Sequence, residues 1–231
     1  MHKVIAAGLL LVSMQSMGSE METLLTQCVP SVHPSTMGAI IRTESRGNAY
    51  ALSDDGPSHL PWRVRKTMLR SFNPGSLEEA VRITNGLIRD GHIVGLGLAQ
   101  VNSRNLAKLG LTVEQALDPC TNLNAGGQIL TNFYLRAFRK YGNAEKALIA
   151  AISAYNTGNF VAGIENGYVG KVVRAGYTVP PLRVGGANSI APKTASRNGG
   201  TKAPRTARPT ARDILNEAKN SPINIAFESQ D

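Results

Sequence analysis

Apolar residues recur three and four positions apart at Met37, Ile40 and Ile41, and Glu44 continues the row one turn after Ile40. The spacing predicts a helix following Pro34, with Ser35 or Thr36 able to serve as N-cap and Gly47 as its stop. A second helical pattern runs over 77–90 through Val81, Thr84, Leu87 and Ile88 and closes at Gly91. Thr112 and Gln115 have capping-box spacing ahead of a short turn ending at Pro119. The longest amphipathic run covers 122–141, with Leu123, Gly127, Leu130, Tyr134, Ala137, Phe138 and Tyr141 on one face. Ala144, Ala147, Leu148, Ala151, Ile152 and Tyr155 mark the next helix, whose stripe ends at Tyr155-Asn156-Thr157-Gly158. The stretch 53–76 has no helical period and reads as a long loop holding a short strand pair at most; loops of this length are commonly functional or mobile. The fold class is therefore mainly α, with at most a small β element in the loop after the helix that carries Glu44.

The ends of the chain have a different character. Met1, His2 and Lys3 precede a compact apolar run from Val4 to Val12, and small residues from Ser16 to Ser19 come before Glu20. That is the pattern of a secretory signal peptide over 1–19, and the apolar run is far shorter than the roughly 20 residues a membrane span needs. No other segment is apolar enough to span a membrane. Beyond Pro180 the composition turns to Gly, Ala, Pro, Thr, Lys and Arg, which cannot bury enough surface to offset ordering. The expected organisation is a signal (1–19), a helical domain (20–180) and a basic, mostly disordered tail (181–231), within which 213–219 can form a short helix. The net charge of +9 is unevenly spread: 183–212 holds seven basic residues and no acidic one, 213–231 sums to −3, and 20–182 carries only +4. A mildly basic domain argues against nucleic acid as its partner. Cys28 and Cys120 both fall in the exported part and are expected to pair, with two buried free thiols as the alternative.

Candidate chemistry centres on Glu44. A carboxylate on the core-facing row of a helix is disfavoured as an anion, so its pKa rises toward the range a general acid needs. The alternative is a Glu turned to solvent at a frayed helix end. Gly95-Leu96-Gly97-Leu98-Ala99-Gln100 sets glycines ahead of a Gln able to donate and accept to a sugar or amide. Ala154-Tyr155-Asn156 ends a helix with an aromatic and an amide, and Asn166-Gly167-Tyr168-Val169 offers a further tyrosine; each also fits a plain turn, helix end or core tyrosine. Tyr155 either faces a cleft or completes its apolar stripe. Asp54 and Asp55 are the only carboxylates close behind Glu44, and Asp-Asp-Gly is more often a solvated turn than a catalytic pair. His59 and His92 have no Cys or carboxylate at metal-ligand spacing, so no metal and no cofactor are expected.

In order, Glu44-Ser45, Gly97-Leu98-Ala99-Gln100, Ala154-Tyr155-Asn156 and Tyr168 resemble the motifs of lytic transglycosylases with a goose-lysozyme-like domain. The likeness runs from about Cys28 to Val173, and its long insertion after Glu44 and Asp118-Pro119-Cys120 turn are similar to the version found in type IV secretion and conjugation systems. The resemblance implies a lysozyme-like helical domain in the periplasm acting on peptidoglycan glycan strands. By resemblance Glu44 is acid and then base, and Gln100, Tyr155, Asn156 and Tyr168 line the cleft, with Tyr168 near the acid and the others holding the glycan or shaping the cleft. The implied reaction cleaves the bond between N-acetylmuramic acid (MurNAc) and N-acetylglucosamine (GlcNAc) with formation of 1,6-anhydro-MurNAc. It also implies secretion subunits as partners of the tail, for which an inert linker or contact with acidic wall polymers or lipid heads are the other readings. Two positions depart from the family pattern: Ala99 stands where many members have Met, which is expected to alter cleft packing, and Gly91-His92 where many have a substrate-positioning Ser. A hydrolytic lysozyme using Asp54 or Asp55, and a peptidoglycan-binding scaffold that does not cut, are the alternative functions.

Overall fold

A computed structural model describes residues 18–176 and 179–185. The expected signal segment up to residue 17, most of the tail and the short helix at 213–219 lie outside the described residues. Helices α1 (Gly18–Cys28) and α2 (Pro34–Glu44) come first, followed by β1 (Leu52–Pro57), α3 (Trp62–Arg65) and β2 (Arg70–Phe72). Helix α4 (Leu77–Arg89) leads to β3 (His92–Leu96), β4 (Val101–Asn102), a 3-10 turn at Ser103–Asn105, α5 (Leu106–Leu109) and α6 (Val113–Leu117). The long α7 (Pro119–Tyr141), α8 (Ala144–Thr157), α9 (Ala162–Glu165) and α10 (Tyr168–Ala175) complete the fold. Helix α7 packs against α8 and α1, and α2 packs against α10. Met37, Ile40 and Ile41 are fully buried, as their spacing predicts, with Leu123, Leu130 and Ile152.

Local chemistry sets the helix boundaries, and two of them differ from expectation. Helix α2 is capped by His33, whose Nδ1 accepts the Ser35 N–H at 3.2 Å, rather than by Ser35 or Thr36. Pro34 then takes the first helical turn, where its missing N–H costs nothing. Helix α7 begins three residues before Asn122, because Asp118 accepts the Thr121 N–H at 2.8 Å with Pro119 next in line. The Thr112–Gln115 capping box forms as its spacing predicts.

The β element is a four-stranded antiparallel sheet of order β2-β1-β3-β4. Half of it lies in the insertion after α2, and the other half is the segment that carries Gln100. Strand β1 alternates buried Leu52, Asp54 and Gly56 with half-buried Ser53, Asp55 and Pro57, and its pairing with β3 shifts register between Asp54 and Pro57. The Asp-Asp-Gly sequence is therefore a strand and not a solvated turn. Asp54 is fully buried: Arg70 donates to its Oδ2 through Nε at 2.9 Å, the Gly56 N–H donates to Oδ1 at 2.8 Å, and His92 Nδ1 lies 2.7 Å from Oδ1. These partners hold its pKa below the usual carboxylate range despite burial, which alone would raise it. His92, isolated in sequence, joins β3 to β1 through this bond.

The turn between β3 and β4 is held by a buried amide. Asn122 Nδ2 donates to the carbonyls of Leu96 at 2.8 Å and Ala116 at 2.6 Å, and its Oδ1 accepts the Ala99 N–H at 2.8 Å. Gly97, at φ +71°, lets the turn approach: a Cβ there would sit 2.7 Å from Asn122 Nδ2. Asn122→Leu leaves three buried backbone groups unpaired and is expected to cost roughly 3 kcal/mol. Urea unfolding of the variant measures this, and a loss below about 1 kcal/mol would mean that water replaces the amide.

The chain past Pro180 stays on the domain for five further residues, beyond the boundary that composition suggests. Arg183 forms a parallel bridge with Asn48: its N–H donates to the Gly47 carbonyl at 2.8 Å, and its carbonyl accepts the Ala49 N–H at 2.9 Å. Backbone hydrogen bonding does this, and composition does not report it. Among the described residues no helix is long and apolar enough to cross a membrane.

Candidate active site

The end of α2 is built to hold its last side chain. The N–H groups of Ser45 and Arg46 both donate to the Ile41 carbonyl, at 2.9 and 3.0 Å, while Ser45 Oγ accepts the Gly47 N–H at 3.2 Å. Arg46 at φ +55° and Gly47 at φ +82° reverse the chain, and a Cβ on Gly47 would lie 2.1 Å from the Pro181 carbonyl oxygen. The Arg183 guanidinium donates to the Arg46 carbonyl at 2.9 Å and more weakly to that of Ser45 at 3.4 Å. A cation there complements the negative end of the helix.

Glu44 opens from this corner onto a cleft of about 880 Å³. One wall comes from β1 and β2 (Ser53, Asp55, Ser71, Phe72), another from Gly95, Gln100 and Asn102, and a third from Tyr155 and Asn156 at the end of α8; Arg46, Arg183 and Gly185 form the rim. Burial pushes the Glu44 carboxyl up from 4.5 to about 7. A hydrogen bond from Tyr168 opposes this, the charge of Asp55 adds to it and Lys171 opposes it weakly. The side chain is partly open to the cleft even though its carboxyl is almost enclosed by protein.

The sequence-derived site residues gather here in unequal ways. Tyr168 does not line the cleft; it is buried, and its hydroxyl donates to Glu44 Oε1. Burial and the neighbouring Glu44 charge raise its own pKa well above the ordinary value, so it remains a donor. Tyr155 is both cleft wall and core: its ring reaches the cavity while its hydroxyl donates to the Ala99 carbonyl at 2.7 Å. Gln100 reaches the cleft with φ +48°, a conformation non-glycine residues seldom adopt. Its Nε2 donates to the carbonyls of Ala51 and Gly97, both at 2.9 Å. The amide nitrogen thus ties β1's leading edge to the β3–β4 turn, and its oxygen is the group left for a ligand. Asn156 lines the cleft and accepts from Asn166 Nδ2 at 3.0 Å, while Asn166 Oδ1 accepts the Tyr168 N–H at 2.9 Å. Asn166 therefore orients Tyr168.

Ala99 is fully buried, with its Cβ 2.6 Å from where a Cβ on Gly126 would sit. It faces α7 and not the cleft, so the departure from Met is a matter of core packing. Cys28 and Cys120 are joined, with Cα atoms 5.3 Å apart, and take no part in the cleft. Among the described residues no three His, Cys, Asp or Glu side chains form a metal-ligand group. Asp55, which the sequence offers as a second carboxylate but favours as part of a solvated turn, is a cleft wall, while sequence reading missed Arg183 as a helix cap and Asn122 as the pin of the turn. Only Asn122 carried a signal, being a polar residue at the start of an apolar face.

The Transglycosylase SLT domain family matches residues 26–172. The chain is 42% identical over 168 residues to the "Type IV secretion system protein virB1" of Brucella suis biovar 1 (strain 1330), covering 70% of this chain and 66% of that protein. It is 36% identical over 166 residues to "Protein virB1" of Agrobacterium fabrum (strain C58), covering 71% and 62%, and 35% identical over 167 residues to "Protein virB1" of Rhizobium radiobacter, covering 72% and 64%. The chain thus spans just under two thirds of the length of these curated relatives. No solved structure matches it at a significant level. A mainly helical fold with a small sheet, a Glu at the end of its second helix and a family match covering more than half the chain agree, and the protein belongs to the SLT transglycosylase domain family.

Proposed function

We propose that this protein is a peptidoglycan lytic transglycosylase that cleaves the MurNAc–GlcNAc bond and leaves a 1,6-anhydro-MurNAc end. The observation that carries the reading is the Glu44 carboxyl: enclosed, held by Tyr168, titrating at about 7 and opening onto a cleft of about 880 Å³. Protonated Glu44 gives its proton to the bridging oxygen as the bond to MurNAc C1 breaks, releasing GlcNAc with a free hydroxyl. The MurNAc N-acetyl carbonyl stabilises the charge that develops at C1. Glu44, now a carboxylate, takes the proton of the C6 hydroxyl as that oxygen bonds to C1, which restores the acid without consuming water. A pKa near the working pH suits both proton transfers. The Gln100 oxygen and Asn156 hold the glycan, Tyr155 shapes the wall, and Tyr168 holds the Glu44 carboxyl.

The name of the Brucella suis relative supports a place in a type IV secretion apparatus; the proposed role there is local opening of the wall in the periplasm to make room for the assembly. The tail beyond residue 185 is the proposed contact with other secretion subunits.

Asp55 favours a second reading. It lines the same cleft, and its charge is felt by Glu44. A water activated by Asp55 would intercept C1 and make the protein a hydrolytic lysozyme. Mass spectrometry of sugars released from purified peptidoglycan decides between them. Anhydro-MurNAc ends are expected; reducing MurNAc ends would establish hydrolysis, and binding without release would leave a wall-binding scaffold.

A further inference from the structure

Four of the nine exposed large apolar side chains among the described residues fall within eight consecutive positions: Trp62, Val64, Met68 and Leu69. Arg63, Arg65 and Lys66 are interleaved with them and Arg70 follows, while no acidic residue occurs from Gly56 to Leu77. This is the lobe between β1 and β2, and Trp62 at its start is 55% exposed.

The lobe is fastened to the sheet, so its exposure belongs to the fold. Arg65 Nε donates to the Leu60 carbonyl at 3.1 Å and Nη1 to the Asp55 carbonyl at 2.8 Å, with the guanidinium 5.3 Å from the centre of the Trp62 ring. Gly56 lets β1 approach it closely, since a Cβ there would lie 3.4 Å from that of Arg65. Arg65 and Arg70 are thus engaged, by backbone carbonyls and by Asp54. Arg63 and Lys66 are exposed and make no ion pair among the described residues.

An apolar patch of this kind rimmed by cations, with a Trp at its edge, has the chemistry of an interfacial segment. A glycan strand, whatever charge its muramic lactyl groups or peptide stems carry, offers little apolar surface for the four exposed side chains. We propose that the Trp62–Leu69 lobe docks on an anionic phospholipid bilayer. The apolar side chains enter the boundary between headgroups and acyl chains, and Arg63 and Lys66 pair with lipid phosphates. Strands β1 and β2, which end at this lobe, also supply a wall of the cleft, so docking keeps the cleft beside the membrane. The inference does not depend on which glycan product is formed.

Trp62 is the only tryptophan of the chain, so it reports on the lobe alone. The full chain is titrated with vesicles of phosphatidylglycerol and phosphatidylcholine, and with phosphatidylcholine alone, while Trp62 emission and its quenching by brominated acyl chains are followed. A blue shift and quenching are expected with the anionic vesicles. Val64→Ser combined with Leu69→Ser should weaken binding on the order of tenfold, and Lys66→Ala alone about fivefold. Sedimentation with vesicles while Trp62 emission stays unchanged would overturn the proposal, because the basic tail alone would then be binding. A shift produced by purified peptidoglycan, or by raising protein concentration without lipid, would equally overturn it in favour of a glycan or a second copy.

Discussion

Glu44→Gln is expected to lower the release of glycan products on the order of a thousandfold, the range typical for loss of a positioned acid–base group. The amide keeps the shape and can still accept from Tyr168, but it cannot give a proton to the leaving oxygen. The same substitution has an expected effect on stability of opposite sign. The Glu44 pKa is about 7 in the folded protein against 4.5 for an unperturbed carboxyl, chiefly because of burial. Between those values the folded chain keeps a proton that the unfolded chain has released, so stability falls as pH rises from 4.5 to 7. Above pH 7 the full penalty is present, on the order of 3 kcal/mol. The Gln variant lacks this loss, so its stability relative to native protein should rise over that interval and then level off. Urea unfolding at pH 4 and pH 8 measures the difference, and equal changes in both proteins would mean Glu44 is solvated. Native activity should fall about tenfold per pH unit above 7 as the acid is lost. Tyr168→Phe should move that limb upward, because the hydrogen bond it removes favours the carboxylate.

The helical frame was legible from spacing because its stripes are long: Met37-Ile40-Ile41 and the apolar faces of α7 and α8 repeat over enough turns to exclude other periods. Glu44 was legible for the same reason, since a carboxylate in such a row conflicts with its neighbours. Strand β1 was not. Its inward positions are Leu52, Asp54 and Gly56, so the alternation that marks a strand is carried by a charged residue and a glycine. That choice works only because Arg70, His92 and the Gly56 N–H converge on Asp54 from other parts of the chain. Distant partners of this kind leave no local mark, and the same is true of Arg183, whose role depends on carbonyls 137 and 138 positions away. The site motifs were readable as a family pattern that put Tyr168 near the acid, but the bonds that fix them were not. Gln100 spends its donor on the backbone, and Tyr168 stands beside the carboxyl out of the cavity, because both are fixed by turns whose shape emerges only once the sheet is paired.

Loss of the Cys28–Cys120 bond is expected to destabilise the protein by about 4 kcal/mol, since it closes a loop of 92 residues in the unfolded chain. For a domain of this size that corresponds to a fall in melting temperature of roughly 12 °C. Glycan cleavage per folded molecule should nevertheless be unchanged at a temperature where the variant is still native. The reason is that α1 and α7 are held together without the sulfurs: Asn124 Nδ2 donates to the Cys28 carbonyl at 3.1 Å, and Val29 fits so closely over Gly127 that a Cβ there would lie 2.1 Å from its methyl. With those contacts in place, Asn122, two residues beyond Cys120, continues to fix the turn that carries Gln100. The bond thus acts mainly on the unfolded chain, and the folded cleft keeps its geometry. Thermal unfolding of Cys28→Ser with Cys120→Ser, set beside its product release at low temperature, separates the two effects. A stable variant would show that the bond constrains little, whereas a folded but inactive one would show that it shapes the cleft through α7.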